Sequence, residues 1–357
     1  MTEAAPLPLE VRDLTFRYQS RQSAAIEHIN LALRPGEVML LAGSSGCGKT
    51  TLMRCINGLI PLAYQGEMSG EVLLYGHTTR GMNLAEISQS VGTLLQDPER
   101  QILGTYVLNE VCFGLESLAL PRSEMIPRAE KALARLGIGH LRDKETFNTS
   151  GGEKQKVALA GVLAMEPKIL LLDEPLASLD PASAHEALQI FRELADEGLA
   201  VMIVEHRVED VLAIHPERVV YMEDGRVTYS GDSAGLMEVV DPSRIKLPAS
   251  VVARRARGKP QPEFHPCVRA GNKPGPPLVS FQDVHFSYKE NLAEVLHGIT
   301  LDIRAGEVIA ILGHNGSGKT TAVKQALGLL KPTSGRVLLE GQDSRKSTVA
   351  KAARTIG

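Results

Sequence analysis

The 357-residue sequence contains no tryptophan, and only 4% of its residues are aromatic. That scarcity argues against a surface that stacks successive bases of a single-stranded nucleic acid. An excess of basic charge is missing too. The formal net charge is −3, so no global field favours a polyanion and no nucleic-acid partner is expected. The four cysteines, Cys47, Cys55, Cys112 and Cys267, form no C-x-x-C pair and no metal-ligand spacing. They read as reduced thiols in a cytosolic protein. No run approaches the roughly 18 consecutive apolar residues of a membrane-spanning helix. The opening Met1-Thr-Glu-Ala-Ala-Pro6 has neither the basic flank nor the apolar stretch of a signal peptide. Any membrane role is therefore expected to come through a partner. What the chain does have is a globular balance, 43% apolar and 23% charged residues, with length for two domains.

It also repeats itself. Leu14-Thr-Phe-Arg-Tyr18 recurs as Val284-His-Phe-Ser-Tyr288, and Pro35-Gly-Glu-Val38 recurs as Ala305-Gly-Glu-Val308. A glycine-rich segment, Gly43, Ser44, Ser45, Gly46, Cys47, Gly48, Lys49, Thr50 and Thr51, recurs as Gly313, His314, Asn315, Gly316, Ser317, Gly318, Lys319, Thr320 and Thr321. Every offset is 270 residues, far too long for a solenoid, so a domain is duplicated. Gly58 and Gly70 stand twelve apart while their counterparts Gly328 and Gly335 stand seven apart, so the first copy is five residues longer there. On that alignment Thr355-Ile-Gly357 falls on Ser90-Val-Gly92, and the second copy is expected to be partial. The chain is expected to be a fragment of a tandem protein of roughly 500 residues, with a natural short form that uses a partner chain as the alternative. The expected layout is a complete first domain at 8–240, a linker at 241–277 and the beginning of a second domain at 278–357. The linker is rich in proline and basic residues (Arg254-Arg-Ala-Arg-Gly-Lys-Pro260, Lys273-Pro-Gly-Pro-Pro277). It reads as an extended, poorly packed, solvated tether, with contact to anionic lipid as the alternative for the basic run.

Phosphate chemistry is written into the first copy. Val38 to Ala42 reads as a buried strand, Gly43-x4-Gly48-Lys49-Thr50 follows at once, and Thr51 to Ile56 reads as a helix. Strand, glycine-rich loop and helix form the context a phosphate-binding P-loop needs. Backbone N–H groups converge on the phosphates and the helix N-terminus adds a favourable field. Lys49 is expected to bridge the β- and γ-phosphates, and Thr50 to ligate Mg2+. Further on, Lys168-Ile-Leu-Leu-Leu-Asp173-Glu174-Pro175 reads as a strand buried on both faces. Asp173 at its end suits the Mg2+ shell, and Glu174 suits polarisation of an attacking water. An apolar strand ending in Asp-Glu is commonplace alone; the P-loop upstream gives it meaning. Ser150-Gly151-Gly152 offers a hydroxyl and unshielded N–H groups to an anion ahead of a helix read over Lys154 to Met165. Taken alone it is also a capped helix start.

The order and spacing of these three segments, P-loop, Ser150-Gly-Gly152 and Leu172-Asp-Glu-Pro175, resemble the ATPases of ABC transporters over residues 9–232 and again from 278. That resemblance implies an α/β P-loop NTPase: a RecA-like core with an antiparallel β subdomain and a helical subdomain, here in tandem with an incomplete second copy. It implies ATP and Mg2+ as ligands. Tyr18, 25 residues before Gly43, matches the family's adenine-stacking aromatic, and Tyr288 matches it in the second copy. Gln96 matches the residue that contacts Mg2+ and the attacking water. Ser178-Leu-Asp180 matches the loop that crosses the dimer interface, and His206 the histidine that touches the γ-phosphate. The implied catalytic set is Glu174, His206 and Gln96. The implied metal set is Thr50, Gln96 and Asp173, with Thr320 in the second copy. Ser150, Gly151 and Gly152 would face the nucleotide of a second ABC ATPase domain. Two departures stand out: the signature opens with Thr149 and ends in Glu153, whose negative charge is expected to weaken that contact.

Gln96-Asp-Pro-Glu-Arg-Gln101 is similar to a segment of energy-coupling-factor ATPases, which serve import of vitamins, their precursors, or cobalt and nickel. Glu205-His-Arg207 resembles members with two ATPase domains on one chain. In that family a coupling helix of the transmembrane subunit sits beside the Gln96 loop, and residues 97–160 form the flanking helical subdomain. The resemblance therefore implies a peripheral protein on the cytoplasmic face of the membrane, working with transmembrane subunits. The competing class is soluble tandem ABC proteins acting on ribosomes or DNA. Ribosome-acting types carry a long charged helical linker, and repair types carry a coiled coil between P-loop and signature. Here the join is short and proline-rich, and Lys49 to Ser150 spans only about 100 residues.

Overall fold

The computed structural model describes residues 6–241, 245–257, 275–289, 293–313, 316–346 and 356. The chain divides into two compact units, Met1–Lys259 and Pro260–Gly357. The first unit opens with β1 (Leu9–Tyr18), β2 (Ile26–Leu33), β3 (Val38–Gly43), α1 (Lys49–Ile56) and α2 (Leu59–Leu62). Next come β4 (Gly66–Leu74), β5 (His77–Thr78), α3 (Leu84–Ser90), β6 (Val91–Leu94), α4 (Pro98–Gln101), α5 (Val107–Ser117) and α6 (Arg122–Arg135). It continues with α7 (Gly151–Ala164), β7 (Ile169–Asp173), α8 (Pro181–Asp196), β8 (Ala200–Val204) and α9 (Val208–Leu212). The hairpin β9 (Arg218–Glu223) and β10 (Arg226–Gly231) follows, then α10 (Ser233–Val239) and α11 (Ala249–Ala256).

Six strands form the central sheet in the order β10-β9-β3-β8-β7-β6. All neighbours are parallel except β9 and β10, whose tight turn places Asp224 and Gly225 at φ 46 and 79. The apolar runs in β3, β7 and β8 follow from burial on both faces. Leu40, Leu170 and Ile203 join one core with the helices α5 to α8, while Met39, Leu171 and Met202 join another with α1 and the second sheet. That second sheet is antiparallel, in the order β2-β1-β4-β5. The helices α4 to α7 form the helical subdomain, in which α5 and α6 both pack on α7. The three predicted layers are all present.

The second unit holds β11 (Pro277–Phe286), β12 (Leu296–Arg304), α12 (Lys319–Ala326), β13 (Ser334–Leu339) and β14 (Gln342–Asp343). Its sheet order, β12-β11-β13-β14, copies the antiparallel sheet of the first unit. Even the irregularity is copied. Asp13 and Asp283 bulge at φ 47 and 50, opposite Gly70 and Gly335, where a Cβ would fall 2.2 and 2.0 Å from those aspartates' carbonyl oxygens. The counterpart of β3 differs: Val308 to Leu312 forms no strand, with Val308 fully exposed and Leu312 89% exposed. In the first unit β3 is buried between β8 and β9, and the described residues of the second unit supply no such neighbours.

One expectation is corrected. The predicted linker at 241–277 is not extended at its beginning. Ile245, Leu247 and Val251 are buried in the first unit's core, α11 runs from Ala249 to Ala256, and Arg255 Nη1 donates to the Val240 carbonyl at 2.7 Å. Proline and arginine dominate the composition there and mask three apolar side chains that pack. The arginines Arg254 and Arg255 fall in the last turn, where they favour a helix. Residues 258–274 of the proposed linker lie outside the described residues.

Candidate active site

Four predicted functional loops leave the carboxyl ends of neighbouring parallel strands, where open α/β sheets bind ligands. The glycine-rich loop follows β3, Asp173 and Glu174 close β7, His206 follows β8, and Gln96 follows β6. Residues of the glycine-rich loop, Glu174 and His206 line a cleft of about 360 Å³ together with Tyr18 and Arg54, and Gln96 reaches Glu174 from beside it.

The loop's backbone makes the cradle. Gly48 has φ 105 and caps α1; a Cβ there would lie 2.6 Å from the Ala25 carbonyl oxygen. Gly46, at φ 80, has open space around its missing Cβ. Lys49 is 5% exposed, and its ammonium donates to the carbonyls of Gly43 and Ser44, both at 2.9 Å, with Cys47 Sγ at 3.8 Å. Burial pushes the Cys47 thiol up, against the pull of the Lys49 charge. A cationic amine surrounded by carbonyl oxygens beside an open glycine cradle fits a polyphosphate.

Glu174 sits in the left-handed region at φ 47, unusual for glutamate and of a kind that concentrates at functional sites. Its N–H donates to the Val204 carbonyl at 2.9 Å, which pins the turn to β8. Both carboxylate oxygens have a neighbour: Gln96 Nε2 donates to Oε2 at 2.8 Å, and His206 Nε2 lies 2.9 Å from Oε1. Beside it, burial pushes the Asp173 carboxyl up, Glu174's charge adds to the rise, and Arg54 and Lys49 offset part of it. Among the described residues no cluster of three or more His, Cys, Asp or Glu side chains can cage a metal. Mg2+ held by Asp173, Thr50 and phosphate oxygens fits this donor set, because that ion uses few protein ligands and keeps the rest from substrate and water.

Sequence reasoning missed the support beneath these groups. Glu205 is 2% exposed, and its carboxylate accepts from the N–H groups of His206 (2.9 Å), Arg207 (3.1 Å) and Leu176 (3.2 Å). Arg207 Nη1 returns a bond to the Leu176 carbonyl at 3.0 Å. The loop after Glu174 and the loop bearing His206 are thereby tied into one body. Gln155, on α7, adds a third tie by donating to the Pro175 carbonyl at 2.7 Å. The tripeptide Glu205-His-Arg207 was the available signal; Gln155 gave none.

The hexapeptide after β6 also has a local reason. Gln101 folds back, accepting from Leu95 N–H at 3.0 Å and donating to the Thr93 carbonyl at 3.2 Å, so the strand end carrying Gln96 is fixed. Asp97 caps α4, and Glu99 pairs with Lys154 of α7.

Ser150, Gly151 and Gly152 are not in the Lys49 cleft. Ser150 and Gly152 line a separate cavity of about 240 Å³ between α7 and α8. α7 begins at Gly151, three residues before the predicted Lys154, because Ser150 and Glu153 form a capping box. Ser150 Oγ accepts from Glu153 N–H at 3.3 Å, and Glu153 Oε2 accepts from Ser150 N–H at 2.7 Å, with Lys144 Nζ 3.5 Å away. Burial tends to raise the Glu153 carboxyl, but its bonds to Ser150 and Lys144 prevail and hold it below the ordinary range. The Glu153 carboxylate thus has a cationic neighbour, Lys144, within this chain. Asp180 of the Ser178-Leu-Asp180 segment caps α8, accepting from Ala182 and Ser183.

In the second unit Lys319 Nζ donates to the Gly313 carbonyl at 2.6 Å and Gly318 caps α12 at φ 88, repeating the first loop. Gly316, Ser317, Thr320 and Thr321 complete it, and Tyr288 Oη lies 3.1 Å from Thr321 Oγ1. His314 and Asn315 lie outside the described residues.

The ABC transporter family model matches residues 26–177 and 296–357, the two copies of this P-loop region. The chain belongs to the ABC transporter family. Its ATP-binding domain is that of an ATPase family, consistent with the cleft around Lys49. A Methanosarcina mazei protein, named provisionally as an ABC transporter ATP-binding protein, is 34% identical over 97% of this chain and 64% of the relative. A similarly named Streptococcus pneumoniae protein is 35% identical over 98% of this chain and 66% of its own length. The chain thus spans about two thirds of the ABC relatives it matches. Among solved structures, cbiO1 from Clostridium perfringens, described as part of the ABC transporter complex cbiONQ, aligns with a TM-score of 0.60 and 32% identity. That alignment covers 70% of this chain and 94% of cbiO1.

Proposed function

We propose that this chain is an ATP-binding and ATP-hydrolysing subunit that powers solute transport across a membrane. The observation that carries the reading is the convergence of Gln96 and His206 on Glu174 beside the Lys49 cleft. On this reading residues 8–240 are the first ABC ATPase domain and residues from 278 begin a second. ATP is gripped by the amides and ammonium of the Lys49 loop, with Tyr18 beside the base. Mg2+, when bound, neutralises phosphate oxygens and is held by Thr50, Asp173 and Gln96. Glu174 accepts a proton from the attacking water, and His206 and Gln96 orient that carboxylate until the γ-phosphate draws them toward itself. Ser150-Gly-Gly152 reaches the nucleotide of a second ABC ATPase domain in the closed assembly, so hydrolysis releases the clamp.

The transport class is energy-coupling-factor import of a vitamin, a vitamin precursor or a transition metal ion. Two observations support it: the Gln96-to-Gln101 fold-back and the likeness to cbiO1 of a cbiONQ complex. Among the described residues no helix is long and apolar enough to cross a membrane. On this reading transmembrane subunits supply the pathway, and their coupling helix fits the groove of about 380 Å³ beside the Gln96 loop, lined by Leu84, Leu95, Phe113 and Met165. The protein then works as a peripheral subunit at the cytoplasmic face. The test is Mg–ATP binding to the chain carrying Lys319→Ala, with and without Lys49→Ala. Loss of the remaining binding on Lys49→Ala is expected; unchanged affinity contradicts the assignment.

A further inference from the structure

The two copies share their base-side arrangement up to a point. Tyr18 Oη lies 3.2 Å from Thr51 Oγ1 and its ring packs edge-on against Phe16 at 4.8 Å; Tyr288 repeats this with Thr321 at 3.1 Å and Phe286 at 5.0 Å. There the likeness stops. Arg54 Nη1 donates to Tyr18 Oη at 3.3 Å, while its guanidinium carbon sits 4.4 Å from the centroid of the Tyr64 ring. Tyr64 also meets Tyr18 edge-on at 6.5 Å. In the second copy Lys324 takes the place of Arg54, and no aromatic residue stands between Gly328 and Gly335. Tyr64 belongs to the stretch in which the first copy is five residues longer. That extra length turns through α2 and is fixed by a bond from Tyr64 N–H to the Leu59 carbonyl at 3.1 Å, which brings the ring to Arg54.

We infer that Arg54 and Tyr64 form a base-side platform particular to the first copy, with Tyr64 a positioning residue that acts through Arg54. The inference rests on the nucleotide reading of the Lys49 cleft, which Arg54 and Tyr18 both line. A planar guanidinium stacks on an aromatic face and still donates from its edge, whereas an ammonium cannot do both. Arg54 is thus oriented by Tyr64 and in turn fixes the plane of the Tyr18 ring. A ring fixed before binding loses less freedom when a purine stacks on it. The consequence is that ATP binding at the first site draws more on its base than it would with Tyr18 alone, and the five-residue extension supplies the difference.

The experiment measures Mg-dependent binding of ATP and of inorganic tripolyphosphate to the full chain carrying Lys319→Ala, alone and with Tyr64→Ala, Tyr64→Phe or Arg54→Lys added. Tyr64→Ala is expected to weaken ATP roughly threefold or more while tripolyphosphate stays within about twofold, because only the base side is disturbed. Tyr64→Phe keeps the aromatic face and restores ATP binding, and Arg54→Lys behaves like Tyr64→Ala. Tripolyphosphate binding also reports that each variant folds. Equal losses for both ligands, or no loss of ATP binding in Tyr64→Ala, overturn the platform alone. Binding of neither ligand by the Lys319→Ala chain overturns the nucleotide reading and the platform together.

Discussion

His206 Nε2 lies 2.9 Å from Glu174 Oε1, so the residue after β8 holds the carboxylate that closes β7. His206→Ala removes one of the two side chains orienting Glu174. Turnover is expected to fall about 100-fold with the Mg–ATP KM within about threefold, because the loss is in positioning for the chemical step. Steady-state phosphate release by this chain assembled with transmembrane subunits checks this. A raised KM with turnover intact would assign His206 to ground-state binding instead.

Glu205 presents the opposite economy, a buried carboxylate with no part in the reaction. Glu205→Ala leaves the N–H groups of Leu176, His206 and Arg207 without an acceptor. A cost of about 1–3 kcal/mol is expected for that loss. Urea denaturation of wild type and variant reads it directly, as a lower midpoint at unchanged slope. Glu205→Gln, which keeps one acceptor oxygen, should lose less.

Glu153 gives a pH dependence. Its carboxyl is held below its ordinary value of 4.5 in the folded chain, so unfolding raises its proton affinity. The cap's stabilisation is therefore present above the unfolded pKa and is lost as pH falls through the folded one. Glu153→Gln preserves a capping box without the charge. The stability difference between wild type and Glu153→Gln, followed by thermal unfolding, should shrink below pH 4.5. A difference that does not change with pH would show that the charge contributes nothing to the cap.

What could be read beforehand follows from how far apart the partners stand in sequence. The strand, glycine loop and α1 are contiguous, and burial of β3 on both faces leaves an unbroken apolar run. Gln96, Glu174 and His206 lie far apart, yet each directly follows a strand of one parallel sheet, so their meeting was implied by the resemblance. Contacts set by tertiary packing left no such trace. Gln155 reaches Pro175 from another helix, and Tyr64 reaches Arg54 only because α2 turns the chain. The reciprocal Ser150–Glu153 bond was not foreseen, because it depends on where α7 starts. The segment around Ile245 and Val251 was obscured by neighbouring prolines and arginines.

The most direct measurement is phosphate release against Mg–ATP affinity for Glu174→Gln in this chain assembled with transmembrane subunits, with Lys319→Ala silencing the other P-loop. The variant keeps the shape and the Gln96 and His206 neighbours but cannot accept a proton. The account predicts Mg–ATP affinity within about threefold of wild type and release reduced at least about 100-fold. Undiminished release from Glu174→Gln would contradict it.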